Sequence, residues 1–164
     1  MNPLGEVLRV DDILLDIDVS SRVQLLERLA SLLAGRLALP EAQVLESLSA
    51  REQLGSTALG HGVAIPHARM NQCTAEAAAF VRTRLPLPFD APDGKPVSIF
   101  LALVVPKQAT QRHLQLLAAA AGMLGDRTVR DMLKASHDPS AVRSLLVDWH
   151  DRGALAQGGA NPAA

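Results

Sequence analysis

Between residues 97 and 105 the chain reads Val-Ser-Ile-Phe-Leu-Ala-Leu-Val-Val, apolar at every position but Ser98. A strand with one solvated face alternates apolar and polar residues, because successive side chains point to opposite faces. An almost unbroken apolar run instead predicts a strand covered on both faces, as in a sheet packed between helices.

Segments suited to those helices lie on both sides of it. Ser20 or Ser21 supplies an N-cap, and Leu25, Leu26, Leu29, Leu32 and Leu33 follow at helical spacing up to about residues 35–37. Pro40 starts a second helix with an apolar stripe of Val44, Leu45 and Leu48. Beyond the apolar run, Thr110 is placed to cap a long helix through about Leu124, with His113, Leu117, Ala120, Ala121 and Leu124 inward. Gly125-Asp126 interrupts it, and a short helix then carries Val129, Met132 and Leu133. Asp138-Pro139 opens the last helix, with Val142, Leu145, Leu146 and Trp149 inward.

The remaining segments are extended or irregular. Residues 77–83 read as a further strand, and residues 63–65 as a very short one that Pro66 closes, since proline disfavours helix before it and withholds a ladder donor. Residues 85–96 hold Pro86, Pro88, Pro92, Asp93-Gly94 and Pro96, which predict a loop with a turn. Residues 7–19 mix four aspartates with aliphatic residues and show no assignable period. Helices before and after the strands make the class mixed α/β: one layered domain over residues 1–150 and a flexible tail over residues 151–164.

Composition narrows the function. Of the 164 residues 48% are hydrophobic but only 2% aromatic, so the core is aliphatic and single-strand binders' stacking platforms are missing. Sixteen Lys and Arg against seventeen Asp and Glu leave a net charge of −1, which argues against non-specific nucleic-acid binding. A single cysteine forms no internal disulfide, and the N-terminus turns acidic at Glu6 rather than basic like a signal peptide. No apolar run reaches the ~20 residues of a spanning helix, so a cytoplasmic protein without membrane insertion is expected.

Several sites can be set aside. Gly55 and Gly60 have phosphate-loop spacing, but His61-Gly62 stands where the lysine and hydroxyl residue belong. The chain has no dinucleotide fingerprint, kinase motif set, nucleophile elbow or Cys-x-x-Cys pair. Five histidines remain. His137 precedes the Asp138 cap, His150 ends the last helix, and His61 sits between two glycines; each has an ordinary structural explanation.

His67 follows Pro66, so its ring projects where the sheet ends and a loop begins, the usual place for a site in such folds. A neutral imidazole has a nucleophilic ring nitrogen. His113 stands in the first turn of its helix, near amides suited to an anion. Arg51 closes the second helix; it either complements that helix end or offers its donors to phosphate oxygens. A zinc site from His61, His67 and His113 is the competing assembly, against which stand the spacing and the lack of a nearby acidic ligand.

Arg51-Glu52-Gln53-Leu54-Gly55-Ser56-Thr57, with Gly60-His61-Gly62-Val63-Ala64-Ile65-Pro66-His67 after it, resembles the active-site region of enzyme IIA proteins. These belong to the phosphoenolpyruvate-dependent phosphotransferase system, in its fructose–mannitol and nitrogen-regulatory class. Residues 88–97, 103–106 and His113-Leu114 extend the similarity, which spans roughly residues 8–149. The resemblance implies a central mixed sheet flanked by helices on both faces, with His67 carrying a phosphoryl group. It matches His113 to the family's second active-site histidine and Arg51 to its active-site arginine, with amides of residues 55–57 as further donors. It implies no metal and no cofactor.

The implied phosphoryl donor is an HPr-like carrier protein. The single domain and residues 89–97 look closer to nitrogen-type members, regulators whose targets include potassium transporters and sensor kinases. A sugar-specific IIA that passes its phosphoryl group to a IIB domain is the alternative, and an interaction module that has lost phosphorylation is a third. The family commonly has Gly after the phosphorylated histidine, where this chain has Ala68, a residue strained wherever φ is positive.

Overall fold

The apolar run forms strand β6 (Val97–Pro106), and its side chains divide between two cores. Phe100, Ala102 and Val104 pack on one side of the sheet, while Ile99, Leu101, Leu103 and Val105 pack on the other. Continuous hydrophobicity here thus serves two helical layers at once. The computed structural model describes residues 1–150; the expected tail over residues 151–164 lies outside them.

Two short 3-10 turns (Pro3–Glu6 and Val10–Asp12) lead into β1 (Ile13–Ile17), followed by α1 (Arg22–Leu37) and α2 (Glu41–Gln53). Next come β2 (Ala58–Gly60), β3 (Val63–Ala64), β4 (His67–Met70) and β5 (Ala77–Leu87). After β6 the chain is helical: α3 (Thr110–Gly125), α4 (Arg127–Ala135) and α5 (Pro139–Val147). The six strands form one mixed sheet in the order β1-β5-β6-β3-β2, with β4 also paired to β6. The pairs β1–β5, β3–β6 and β4–β6 are parallel, and β5–β6 and β2–β3 are antiparallel.

One face is covered by α1 and α2, through Leu25, Leu29, Leu33, Val44 and Leu48. The other is covered by α3, α4, α5 and the N-terminal segment, through Leu116, Met123, Leu133, Leu146, Leu4 and Leu8. Arg143 ties the N-terminus to α5 by donating to the carbonyls of Leu8 and Gly5 at 2.8 and 3.0 Å. Helix starts follow local chemistry. Ser21 caps α1 by accepting from Gln24 N, and Asp138 caps α5 by accepting from Ser140 N.

Four expectations need correction. Residues 85–87 belong to β5 rather than a loop; Pro86 is tolerated because the β5–β6 ladder is irregular between Arg82 and Leu87. Thr110 does not cap α3: Ala109 holds the cap position without a side-chain bond, and Thr110 is the first helical residue. The inner stripe of α3 is His113, Leu116, Ala120, Met123 and Leu124, with Leu117 partly buried and Ala121 exposed. Met132, expected inside, is 51% exposed.

Candidate functional site

Pro66 interrupts the sheet without ending it. Ala64 pairs with Phe100 and His67 with Leu103, the same offset, so β3 and β4 are two pieces of one column beside β6. His67 therefore opens a strand instead of projecting into a loop, which corrects its expected setting. Its partner Leu103 faces the α3 layer, and so does its ring. Ala68 is buried on the opposite face within β4 and has no positive φ, so the methyl group brings no strain.

The His67 ring is held in one orientation. Its Nδ1 lies 2.7 Å from the carbonyl oxygen of Ile65, which can only accept. Nδ1 therefore carries the proton of the neutral ring and Nε2 the lone pair. Burial holds the pKa of His67 below its ordinary value of 6.5, opposed by the Ile65 bond and reinforced by the Arg51 charge. A neutral ring with a defined free nitrogen at pH 7 is the state needed for nucleophilic attack.

His113 enters from α3, buried at 8% exposure in the first turn. Its ring centroid lies 5.4 Å from that of His67, with the planes tilted by 49°. Its Nδ1 has no hydrogen-bond partner among the described residues. Burial lowers its pKa too, followed by the effects of His67 and Arg69. Arg51 comes from the last turn of α2, where its Nη1 donates to the Gly55 carbonyl at 2.8 Å. The three sequence-predicted residues thus converge, from β4, α3 and α2, on a groove of about 500 Å³ that is also lined by Leu54, Arg69 and Lys107.

The competing trio does not form. His61 lies in the β2–β3 turn at φ 57°, its amide donating to Asp93 Oδ2 at 2.9 Å, beyond β3 from His67. Among the described residues no group of three His, Cys, Asp or Glu side chains is placed to hold a metal ion. Cys73 is buried outside the groove, its thiol donating to Ala75 O and its pKa raised by that burial.

Of the amides of residues 55–57 expected as donors, two are already engaged and only that of Ser56 has no hydrogen-bond partner among the described residues. Gly55 N donates to Glu52 O at 3.2 Å, and Thr57 N to Glu52 Oε1 at 2.9 Å. The groove also offers Arg69 and Lys107, which the sequence did not single out. Arg69 shares the face of β4 with His67 by the two-residue strand period, a signal hidden while residues 67–70 were read as a loop. Lys107 follows β6, and nothing in the local sequence marks it.

Comparison with known proteins bears on the family and the fold. The family model described as "Phosphoenolpyruvate-dependent sugar phosphotransferase system, EIIA 2" matches residues 6–149. A nitrogen regulatory protein of Pseudomonas aeruginosa is 39% identical over 146 residues, covering 88% of this chain and 95% of that protein. One from Escherichia coli K12 is 36% identical over 129 residues, covering 78% and 79%. The crystal structure of nitrogen regulatory protein IIA-Ntr from Neisseria meningitidis superposes with a TM-score of 0.85 at 45% identity, over 87% of this chain and 98% of that one. The mannitol IIA of Escherichia coli, at 17% identity and a TM-score of 0.72 over 84% and 97%, shares the fold.

Proposed function

The chain belongs to the EIIA 2 family of the phosphoenolpyruvate-dependent sugar phosphotransferase system, and on that basis we propose that it is a regulatory, nitrogen-type histidine phosphocarrier that accepts its phosphoryl group on Nε2 of His67. The observation that carries this reading is the 2.7 Å contact between His67 Nδ1 and Ile65 O. It leaves Nε2 as the free nucleophile and prevents the ring from turning.

The donor is an HPr-like carrier bearing phosphohistidine. The Nε2 lone pair of neutral His67 forms a bond to phosphorus as the donor's N–P bond breaks, and that electron pair returns to the donor imidazole. Transfer between two nitrogens leaves little covalent work for the protein beyond alignment and charge stabilisation. His113 and Arg51 hold the phosphoryl oxygens through fixed donors, and Arg69 and Lys107 add positive charge to the same groove. No step calls for a metal or cofactor. The charged or uncharged state of His67 then selects among target proteins such as potassium transporters and sensor kinases. The nitrogen regulatory proteins among its relatives favour this branch over a sugar-specific one.

The test is reconstitution. The protein is mixed with phosphoenolpyruvate, an enzyme I and its HPr-like carrier, and one acid-labile phosphoryl group is sought by mass spectrometry. Labelling of wild type that vanishes in His67→Ala supports the carrier. An unlabelled wild type beside a demonstrably charged donor sinks it and leaves the interaction module in front.

A further inference from the structure

Glu52, the second-last residue of α2, is buried at 5% exposure. A buried carboxylate is costly unless its oxygens are satisfied, yet this one has no ion pair among the described residues. Both oxygens are instead directed at one residue. Oε1 accepts from Thr57 N at 2.9 Å and Oε2 from Thr57 Oγ1 at 2.7 Å.

That clamp closes the tight loop of residues 52–57. Gly55 sits at φ 154°, and Ser56 Oγ donates to Phe89 O at 2.6 Å on the outer side. Within the closed loop the Gly55 carbonyl accepts Arg51 Nη1 at 2.8 Å. Arg51 and Glu52 are sequence neighbours on different sides of α2, but the loop joins them: carboxylate to Thr57, Thr57 through the backbone to Gly55, and Gly55 to the guanidinium.

We propose that Glu52 is a positioning residue, which by clamping Thr57 holds the Gly55 carbonyl that orients Arg51 beside His67. The inference rests on the reading of His67 as phosphoryl acceptor and Arg51 as its donor. The positioning runs through the two hydrogen bonds to Thr57; separately, the Glu52 charge partly offsets the lowering of the His67 pKa. A glutamine can keep both bonds, its carbonyl accepting from Thr57 N and its amide donating to Thr57 Oγ1.

The experiment measures phosphoryl-transfer rates from the charged HPr-like carrier, well below each variant's melting temperature. Glu52→Ala is expected to slow transfer about tenfold, because small losses of alignment are costly in such sites. Glu52→Gln is expected to stay within about threefold of wild type, as the conservative rescue. In an Arg51→Ala background, Glu52→Ala is expected to cost almost nothing more, since the group it positions is gone. Thr57→Val and Thr57→Ser give the same contrast if Glu52→Ala does not fold: Val slows transfer and Ser does not. Wild-type rates in Glu52→Ala, equal losses for Ala and Gln, or an undiminished loss in the Arg51→Ala background would each overturn the proposal. Failure of wild type itself to label, or labelling that persists in His67→Ala, refutes the phosphocarrier reading instead.

Discussion

The rings of His67 and His113 face each other at 5.4 Å between centroids although the residues are 46 positions apart in sequence, one at the start of β4 and the other in the first turn of α3. Each has its pKa lowered chiefly by burial, so the pair stands neutral at pH 7 with little mutual repulsion. The Ile65 carbonyl fixes the His67 ring, whereas the buried Nδ1 of His113 has no hydrogen-bond partner among the described residues.

With His67 as the proposed phosphoryl acceptor, this pairing sets an expected pH dependence for the transfer. The reactive form of His67 is neutral, and its pKa lies below 6.5. The transfer rate should therefore be level from pH 7 upward and fall only on acidification below His67's lowered pKa. Stopped-flow transfer from the charged carrier across this range is the check; an inflection above 6.5 would contradict it.

Arg51→Ala should slow transfer on the order of 10²-fold, the usual cost of one fixed donor to a charged transition state. It should also raise the pKa of His67, because the Arg51 charge is one cause of its depression. Arg51→Lys should recover the pKa but not the rate, since a lysine cannot reproduce the guanidinium fork. Proton NMR titration of His67 alongside the kinetics separates the two effects.

Stability carries the same signature. The unfolded chain takes up protons on these histidines near 6.5, whereas the folded protein resists until lower pH. Folding stability should thus decline as pH falls below about 6.5 and level off beneath the folded pKa values. Urea midpoints measured at a series of pH values should show less of this decline in the His67→Ala, His113→Ala double variant.

Phe89 is 1% exposed and meets Phe100 edge-on at a centroid distance of 5.2 Å, in a chain with few aromatics. Phe89→Ala should lose about 3–5 kcal/mol through the cavity it opens. Because Ser56 Oγ donates to the Phe89 carbonyl, the backbone next to the groove should loosen as well. Denaturant unfolding and amide exchange at residues 55–57 would show both effects, and unchanged exchange would detach the core from the site.

Arg82 is 4% exposed in β5, donating to Asp16 and to the carbonyls of Leu133 and Ser136. Arg82→Ala should cost about 3–5 kcal/mol, taking the donor from the buried Leu133 carbonyl and the partly buried Ser136 carbonyl, while phosphoryl transfer by the remaining folded protein stays at the wild-type rate. Thermal melts and the transfer assay together test that separation.

Much of the architecture was legible in short stretches of chain. The unbroken run at residues 97–105 announced a doubly covered strand, and the leucine stripe of residues 25–33 announced the helix that covers it, because burial imposes a period on neighbouring residues. His67, Arg51 and His113 could be nominated from their local settings and from resemblance. Strand β4 could not: Pro66 is a reliable local stop, but parallel pairing with β6 restarts the ladder just beyond it. The cap at Thr110 failed for the opposite reason, since a suitable hydroxyl was present but the backbone places it one residue inside the helix.

Which groups share a groove is a matter of long-range pairing. Arg69 and Lys107 join His67 because β4 and β6 lie side by side, and Glu52 matters because the loop after α2 folds back on it. Residue type and spacing reveal which faces must be buried, since hydrophobic period is a local property of the chain. Distances between side chains dozens of residues apart arise only once the sheet register is set and two helical layers close on it, so the geometry around His67, and the place of Arg69, Lys107 and Glu52 beside it, was decided there.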